Sequence, residues 1–403
     1  MVPGYEVAII GGGIVGLATA MALTERVPGP KVTVLEKEPR VAAHQSGRNS
    51  GVIHSGLYYR PGSLRATLCR EGVARLVRFC DDRGVAYTRD GKVVVATSEA
   101  QLPALAELER LGRANGLRGV RRIGPGRLRE IEPHAVCVEA LHVPETGAVD
   151  FADVCRALVG VLLERGATIS TSFRVENMDI ARSHVTVEGS DRSVTARVVV
   201  NCGGLHSDRL ARAAGFNPAV RIVAFRGEYY DITGPSADLV RSSIYPVPDP
   251  KLPFLGLHLT RSADGSMHAG PNAVPALARE GYGWGTVRPA ELLQSLAYPG
   301  FLRLAGRHWR SGIAEIIRSA SRRLFVRSAR ELVPELDPED FSRGRSGVRA
   351  LALTRSGQLH DDFLIEVGPR SVHVLNAPSP AATSSLAIGA HVAERVLQVI
   401  DPG

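Results

Sequence analysis

Two glycine-rich stretches near the amino terminus hold residue types that could do chemistry. The first, GGGIVG, contains the spacing GxGxxG as Gly11, Gly13 and Gly16, and Glu36 follows twenty residues after Gly16. Such glycines allow a tight turn in which backbone N–H groups approach a pyrophosphate at a helix N-terminus, and the acidic residue accepts hydrogen bonds from a ribose hydroxyl. This spacing predicts a dinucleotide site.

The second stretch, HQSGRNSGVIHSGLYY at 44–59, places two histidines, an arginine, three serines and two tyrosines around three glycines. A solvated loop would explain the Ser, Gly and Asn residues, but not the apolar positions within GVIHSGLYY or the tyrosine pair that closes it. We therefore expect this stretch to lie against a ligand.

The elements that must position these residues begin with YEVAII at 5–10, a strand of branched apolar residues that runs into the glycines. A small-residue helix and a second strand, KVTVLE at 31–36, follow, and this order predicts a parallel sheet. A glycine-ended strand at 196–204 and a proline-bounded helix start at 376–389 would be superfluous in a nicotinamide fold, but would close over a flavin.

Further along the chain, residues 217–275 have the pattern of antiparallel strands with polar turns, and residues 285–340 are helical and arginine-rich. We predict an α/β fold in which a discontinuous Rossmann-type unit is interrupted by an antiparallel sheet with helices. The predicted nucleotide-binding domain comprises 1–84, 146–216 and 345–403, and the predicted substrate domain comprises 85–145 and 217–344.

Composition narrows the class of protein. The 403 residues are 44% hydrophobic and 22% charged, as in ordinary globular proteins, and no apolar run reaches the roughly 18 residues that span a bilayer. We see no signal peptide, and five widely spaced cysteines without a CxxC pair argue against a disulfide framework and against a metal site. A cytoplasmic location is expected. The net charge of +8 lacks the interleaved aromatics of a nucleic-acid surface, so no nucleic-acid partner is expected.

Six motifs along the whole chain resemble the FAD-dependent L-2-hydroxyglutarate oxidase or dehydrogenase family, which lies within the glycine and D-amino-acid oxidase type of flavoproteins. They are VAIIGGGIVGLATAMAL, HQSGRNSGVIHSGLYYRPGSL, FRGEYY at 225–230, YPVPDPKLPFLGLHLT at 245–260, GPNAV at 270–274 and NAPSPAATSS at 376–385. The last four are far more specific than the glycine fingerprint.

The resemblance implies a Rossmann-type FAD domain with an inserted antiparallel substrate domain, as in D-amino-acid oxidase. It implies oxidation of L-2-hydroxyglutarate to 2-oxoglutarate by hydride transfer from C2 to flavin N5, with electrons passed to oxygen or a membrane quinone. Two alternatives stay open. One is a flavin enzyme of the same fold that acts on another 2-hydroxy acid or an amino acid, and the other is a flavin-binding protein without turnover.

The fingerprint and the resemblance together predict which residues contact the cofactor. The segment 44–59 would run along the flavin, and the loop after 376 would direct backbone N–H groups and a helix N-terminus towards its pyrimidine. The predicted contacts are Gly11, Gly13, Ile14, Val15, Gly16, Glu36, Lys37, Ser46, Asn49, Ser50, Gly51, Val175, Cys202, Gly203, Gly204, Pro378, Ala381, Ala382 and Thr383.

The implied chemistry requires a base for the hydroxyl proton. Histidine suits this role because its ordinary pKa lies near neutral pH. The candidates are His54 and His258, and we favour His258 because the apolar neighbours in LGLHLT could lower its pKa. By the resemblance, His54 and Tyr58 face the flavin ring or the substrate.

A dicarboxylate substrate also requires cations. Arg349 in SGVRALAL resembles the arginine that binds the α-carboxylate in this flavoprotein class, where a guanidinium gives two parallel charge-assisted bonds. For the second carboxylate we choose Arg226, beside Tyr230, with Arg65 and Lys251 as alternatives.

Two features bear on substrate and partners. After GPNAV the chain reads PALAREGY, with Ala278 where the family resemblance leads us to expect a lysine, which puts the exact substrate in question. Residues 299–333 hold eight Arg and two Glu among apolar residues, a pattern typical either of a helix lying on anionic lipid or of a solvated face. The first reading would place the protein peripherally on the inner face of a membrane, near quinone.

Overall fold

A computed structural model describes residues 4–26, 29–249 and 256–401. Within these residues the strands are β1 Tyr5–Ile10, β2 Val32–Leu35, β3 Val52–Ile53, β4 Tyr87–Thr88, β5 Lys92–Ala96, β6 Arg121–Ile123, β7 Glu139–Val143, β8 Gly147–Val149, β9 Thr168–Ser170, β10 Asn177–Ile180, β11 Val185–Glu188, β12 Ser193–Asn201, β13 Val220–Ile232, β14 Ser243–Pro246, β15 His258–Arg261, β16 Met267–Gly270, β17 Val274–Pro275, β18 Phe341–Thr354, β19 Leu364–Gly368 and β20 Ser371–Asn376.

Two of the helices begin at residues whose side chains cap them. Ser63 caps the second helix by accepting a hydrogen bond from the Ala66 N–H, and Asp150 caps the fifth through Ala152. The described α-helices are α1 Ile14–Thr24, α2 Leu64–Arg83, α3 Leu102–Ala114, α4 Pro125–Ile131, α5 Phe151–Glu164, α6 Ser207–Ala213, α7 Pro289–Leu296, α8 Pro299–Ala320, α9 Arg322–Arg330 and α10 Ser385–Ile400.

The first sheet is parallel at its centre, in the order β20-β12-β1-β2-β9. Its centre is buried on both faces, and α1 packs against α5 and α10 over a core of Val, Leu and Ile side chains. The hairpin of β10 and β11 joins the start of β12 in antiparallel pairing. Strands from three separated stretches of the chain thus bring their carboxyl ends to one edge, where ligands bind in such sheets.

The second sheet has nine strands and is mostly antiparallel, in the order β17-β13-β16-β15-β14-β5-β7-β6, with β18 paired to β13. Strand β18 pairs with β13 from Phe341 to Thr354, so the domain boundary predicted at 344/345 falls inside one continuous strand. The other domain boundaries stay predictions. A small third sheet, β3-β8-β4, includes residues of the stretch 44–59.

No helix among the described residues is both long enough and apolar enough to cross a bilayer.

Candidate functional site

A cavity of about 760 Å³ runs from the carboxyl edge of the parallel sheet to the second sheet. The glycine turn, the stretch 44–59, the segment after β12 and the loop after β20 line one part of it. Residues of β13, β15 and β18 line the other part. The cavity therefore joins the predicted cofactor residues to the predicted substrate residues.

The glycine turn brings the start of α1 to the cavity, and two of its glycines are required by the fold itself. Gly11 has φ +112°, and a Cβ there would lie 2.5 Å from the Cys202 carbonyl oxygen. A Cβ on Gly16 would lie 2.1 Å from the Gly11 carbonyl oxygen. Gly13, by contrast, has φ −81°, and a Cβ there would meet only the Ser46 Oγ, at 3.1 Å. Gly13 thus leaves open space in front of the helix N-terminus.

Glu36 lines the cavity at the end of β2 and is 7% exposed. Its Oε2 accepts a 2.7 Å hydrogen bond from the Gly12 N–H, and its Oε1 accepts a 2.9 Å bond from the Glu38 N–H. Each carboxylate oxygen keeps a second lone pair for a ligand hydroxyl. The carboxylate therefore both fixes the turn and stays able to accept from a ribose.

Lys37 lies in an ion-pair cluster beside Glu36. Its Nζ lies 2.5 Å from Glu38 Oε1 and 2.6 Å from Glu280 Oε1. The Lys37 contact lowers the pKa of Glu38, and hydrogen bonds with His206 and Lys37 lower the pKa of Glu280 against the effect of burial. Glu38, His44 and Glu280 are close enough together to hold a metal ion, but Lys37 already bonds both carboxylates. The cluster is best described as an ion-pair network at the rim of the cavity.

The stretch 44–59 is shaped by its own side chains. Ser46 Oγ accepts a 2.9 Å hydrogen bond from the Ile14 N–H at the start of α1. Asn49 donates to the Gln45 and Ser46 carbonyls and accepts from the Gly51 N–H, so its side chain holds the loop. Both residues line the cavity.

The structure brings most of the predicted cofactor residues to this cavity. Exceptions among the described residues are Gly16 and Gly51, which do not line it: Gly16 packs on Gly11, and the Gly51 carbonyl accepts from the Val149 N–H. Their roles are to permit close backbone approach. The predicted residues that line it are Gly11, Gly13, Ile14, Val15, Glu36, Lys37, Ser46, Asn49, Ser50, Val175, Cys202, Gly203, Gly204, Pro378, Ala381, Ala382 and Thr383.

His258 is the first residue of β15 and is 5% exposed. Its ring stacks on the Tyr245 ring, with centroids 4.0 Å apart, and its Nδ1 lies 3.1 Å from the Gly256 carbonyl oxygen. Burial, aided by the charges of Arg349 and Lys92, lowers the pKa of His258 to about 3. His258 is therefore neutral at neutral pH.

His54 lines the same cavity from the stretch 44–59. Its backbone N–H donates to Thr383 Oγ1 at 3.1 Å, and its Nε2 lies 3.2 Å from Ser379 Oγ. Burial lowers the pKa of His54 to about 3, with a further contribution from Lys92. Both candidate bases are thus neutral side chains in one cavity.

Arg349 lines the cavity from β18, and its Nη1 donates a 3.1 Å hydrogen bond to the Asn272 carbonyl. Burial lowers its pKa from the ordinary value, and the nearby Tyr229 phenol opposes that shift. An arginine still keeps its charge under such conditions. The structure therefore places a partly buried guanidinium in the same cavity as the two histidines.

Arg226 and Tyr230 were predicted to bind substrate, and the structure places both side chains away from the lining of this cavity. Neither is among the described residues that line the cavity; Gly227 and Tyr229 line it instead, as the alternation of side chains along β13 requires. Arg226 Nη2 lies 3.2 Å from Glu228 Oε1, and its guanidinium packs over Trp284.

Tyr230 belongs to the core on the other side of the strand. Its ring packs against Phe325, with centroids 4.4 Å apart, and also against Phe341. Strand β13 has a register shift between Glu228 and Tyr230, which sets the direction of the two neighbouring tyrosines.

Of the alternatives to Arg226, Lys251 lies outside the described residues, and Arg65 lines the cavity. The terminal nitrogens of Arg65 donate to the Asp361 and Ser379 carbonyls, and its guanidinium packs over the Tyr59 ring. Arg65 is therefore a cation at the cavity that is anchored to the loop after β20.

The PALAREGY segment contacts the ion-pair cluster around Lys37. Ala278 is buried, Arg279 pairs with Asp208, and Glu280 lies beside Lys37. The departure from the expected lysine therefore lies two residues before the acidic partner of Lys37.

Three residues near the histidines were missed by the sequence reasoning. Tyr229 and Tyr245 line the cavity, and Lys92 is buried behind the wall, with its Nζ over the Tyr58 and Tyr245 rings. The alternation along FRGEYY could have distinguished Tyr229 from Tyr230. Lys92 opens the apolar strand KVVVA, and a lysine at such a position is itself an unusual signal.

Comparisons with protein families and with curated proteins agree on one family for this chain. A family model described as FAD dependent oxidoreductase matches residues 6–395. The chain is 45% identical to an L-2-hydroxyglutarate dehydrogenase of Indibacter alkaliphilus, covering 98% of this chain and 99% of that protein. It is 39% identical to the L-2-hydroxyglutarate dehydrogenase of Escherichia coli (strain K12), covering 97% of this chain and 93% of that one.

Solved structures show the same fold at low identity. An L-alpha-glycerophosphate oxidase of Mycoplasma pneumoniae with FAD bound has a TM-score of 0.80 at 21% identity, covering 98% of this chain and 94% of that one. A glycine oxidase of Geobacillus kaustophilus has a TM-score of 0.72 at 19% identity, covering 97% and 95%. These likenesses confirm the predicted fold class.

Proposed function

Because this chain belongs to the FAD-dependent oxidoreductase family and to its L-2-hydroxyglutarate dehydrogenases, we propose that it oxidises L-2-hydroxyglutarate to 2-oxoglutarate. The observation that carries the proposal is one cavity that joins a dinucleotide turn to two neutral histidines and a partly buried arginine. A secondary alcohol beside a carboxylate requires such a pair of functions, a base and a fixed cation.

The residues of the cavity fit FAD. The first turn of α1 carries no acidic side chain, and Gly13 leaves open the space before its N–H groups. A pyrophosphate is stabilised at such a helix terminus, with Glu36 accepting from a ribose. When bound there, FAD supplies the acceptor for the two electrons that leave the substrate.

Arg349 would bind the α-carboxylate of the substrate. Its guanidinium is held to the Asn272 carbonyl through Nη1, which fixes the direction of the planar group. Two parallel charge-assisted bonds to the carboxylate would then orient the α-carbon as well as bind the acid.

His258 would take the hydroxyl proton. A carbonyl oxygen can only accept, so the contact with Gly256 requires that Nδ1 of His258 carry the hydrogen. Nε2 then holds the lone pair that receives the substrate proton. His54 lacks such a fixed tautomer, because its Nε2 partner, the Ser379 hydroxyl, can either donate or accept.

The low pKa of His258 has a consequence for this role. A substrate with two carboxylates brings negative charge beside the imidazole, and nearby negative charge raises the pKa of a histidine. His258 therefore becomes a stronger base when the substrate is present. Away from the substrate it stays unprotonated across the neutral range.

The proposed function is tested by mixing the purified holoenzyme with L-2-hydroxyglutarate without oxygen and following the visible flavin absorbance. We expect rapid bleaching with the L enantiomer and little with D-2-hydroxyglutarate, because a base and a cofactor fixed around one carbon accept only one hand. If L-2-hydroxyglutarate causes no bleaching but another 2-hydroxy acid or an amino acid does, that other compound is the substrate and the proposed activity is wrong.

Replacing Arg349 tests the carboxylate anchor. Arg349→Ala should cost about 2–5 kcal/mol in kcat/KM, the scale for breaking a buried charge-assisted pair, and Arg349→Lys should cost less because it keeps the charge but loses the fork. FAD content should stay near that of the wild type, since other segments hold the cofactor. Arg221→Ala is the matched control, because that guanidinium packs over Tyr298 and does not line this cavity. Near-normal kinetics of Arg349→Ala would place the carboxylate elsewhere.

We propose that the electron acceptor is oxygen or a membrane quinone. Helix α8 has a surface that fits contact with the membrane in which a quinone is dissolved. Leu302, Trp309, Ile313 and Ile317 of this helix are each about half exposed, at 56%, 55%, 49% and 53%. The helix is kinked at His308, and after the kink Trp309, Ile313 and Ile317 share one face by their helical spacing. Arginines of the segment 299–333 accompany them. An apolar face with basic neighbours fits an anionic lipid surface.

Vesicle sedimentation tests this contact. The wild type should sediment with anionic vesicles at low salt and much less with zwitterionic ones, and the double variant Trp309→Glu, Ile313→Glu should remain in the supernatant. Leu163→Glu is a control, because Leu163 is 58% exposed on α5, away from α8. Equal behaviour of the wild type and the double variant would contradict the contact.

A further inference from the structure

Lys92 occupies an unusual place in the second sheet. It is the first residue of β5, paired with Val143 on one side and with Ser243 on the other, and only 1% of it is exposed. Its Nζ lies 4.3 Å from the centroid of the Tyr58 ring and 4.7 Å from that of the Tyr245 ring. Both tyrosines line the cavity, so the ammonium lies directly behind the cavity wall.

The groups around this ammonium supply it with no negative charge. Burial lowers the pKa of Lys92 to about 7, and the group that raises it is the Cys69 thiol of α2. That thiol is itself neutral, because burial raises its pKa to about 12. His54 and His258, which feel the Lys92 charge, are neutral as well. No carboxylate among the described residues is within ion-pairing distance of Lys92.

A hydrogen-bond donor without a partner lies at the same place. The buried hydroxyl of Tyr58 has no hydrogen-bond partner among the described residues. Burial raises the pKa of Tyr58 well above its ordinary value, so the hydroxyl keeps its proton. A buried polar group without a partner costs free energy, which a ligand acceptor would recover.

The choice of lysine is informative in this chain. Only four of its 49 basic residues are lysines: Lys31, Lys37, Lys92 and Lys251. A compact ammonium can lie between two tyrosine rings, whereas a planar guanidinium needs more room and a fork of acceptors. The geometry of this position therefore favours a lysine, in a chain whose basic residues are mostly arginines.

We propose that Lys92 is the specificity-determining charge for the second carboxylate of the substrate, acting through the rings of Tyr58 and Tyr245, with the free Tyr58 hydroxyl as the direct donor. This inference rests on the proposed function. Lys92 is a positioning residue in this scheme: Tyr58 contacts the carboxylate, and the ammonium behind it makes that end of the cavity positive. In this scheme Arg349 binds the α-carboxylate, and Lys92 sets the preference for the second carboxylate.

The test compares two substrates of the holoenzyme. L-2-hydroxyglutarate carries both carboxylates, and L-2-hydroxybutyrate keeps the α-hydroxy acid but lacks the second one. Lys92→Met should lower kcat/KM for L-2-hydroxyglutarate by roughly 10- to 100-fold, mainly through KM, as expected for loss of a unit charge several Å away in a partly buried site. The value for L-2-hydroxybutyrate should change by less than about threefold, since that acid makes no use of the charge.

Two further variants separate charge from structure. Lys31→Met removes a lysine that also packs over a tyrosine ring, that of Tyr5, but lies outside the cavity, so it should leave the substrate ratio unchanged. Tyr58→Phe should lower selectivity in the same direction as Lys92→Met. FAD content and melting temperature of Lys92→Met should match or exceed those of the wild type, because removing a buried unpaired charge relieves desolvation.

Calorimetry gives a readout that needs no turnover. Binding of glutarate at about pH 8 should take up a proton in the wild type, seen as a dependence of the binding enthalpy on the buffer, because the dianion raises the pKa of Lys92. The other groups facing this position titrate elsewhere: His54 and His258 at about 3, Cys69 at about 12, and Tyr58 and Tyr245 above that range. Lys92→Met should take up no proton.

The outcomes distinguish the two proposals. If the wild type fails to oxidise L-2-hydroxyglutarate yet binds glutarate with proton uptake that Lys92→Met lacks, the substrate is wrong and the role of Lys92 stands. If the wild type oxidises L-2-hydroxyglutarate but Lys92→Met keeps the wild-type substrate ratio or the proton uptake, the role of Lys92 is overturned.

Discussion

Replacing Gly13 by valine should give a folded protein that carries no FAD. The side chain would occupy the space before the first N–H groups of α1, where the pyrophosphate must approach. Within the protein itself a Cβ at Gly13 meets only Ser46 Oγ, at 3.1 Å, and the backbone there has φ −81°, so a side chain requires only a small shift of the Ser46 hydroxyl. The measurement is the flavin released on denaturation, with circular dichroism as the check on folding.

Valine variants of two other glycines serve as comparisons in this experiment. Gly160→Val on α5 is the control, because a Cβ there meets nothing within 4 Å, and it should retain its FAD. Gly11→Val should lose both FAD and stability, because its Cβ would collide with the Cys202 carbonyl at a positive φ. A yellow Gly13→Val protein with the FAD content of the wild type would contradict the position given to the pyrophosphate.

Replacing His258 by alanine should lower kcat by roughly 10² to 10⁴, the range for loss of a general base. The proton acceptor is lost, whereas Arg349 and the cofactor residues are untouched, so binding of 2-oxoglutarate should persist. His54→Ala is the matched comparison, since that histidine lines the same cavity with a similarly lowered pKa. We expect a much smaller loss of turnover there.

The pH profile provides a second check on His258. Its pKa is lowered, so the unprotonated form persists as the pH falls below the ordinary histidine value of about 6.5. The acidic limb of kcat/KM, which reports the free enzyme, should therefore lie well below pH 6.5. A loss of turnover in His258→Ala of less than about fivefold, far short of the range for a base, would transfer the role to His54.

The sequence predicted the centre of the parallel sheet well, because β1, β2 and β12 contain runs of branched apolar residues. The turn at 11–16 lies where the spacing GxGxxG indicates, and Glu36 ends the next strand at the cavity. These features depend on local patterns, and local patterns are what a sequence displays most directly.

The substrate end was predicted less well, because it depends on pairing between distant strands. Arg226 and Tyr230 were chosen for their residue types, but the direction of each side chain along β13 is set by alternation and by the register shift after Glu228. Lys92 was missed because its partners come from the stretch 44–59 and from β14, far away in sequence. His258 and Arg349, predicted from their residue types and motifs, line one cavity.

The contact between α1 and α10 has a consequence for how the protein is made. Helix α1 follows the first strand, and α10 ends at Ile400, yet the two pack so closely that a Cβ on Gly389 would lie 2.5 Å from the Ala18 carbonyl. During synthesis the amino-terminal helix emerges from the ribosome long before its partner does. The cofactor half therefore cannot close until α10 has been translated, and the flavin must be acquired after that point.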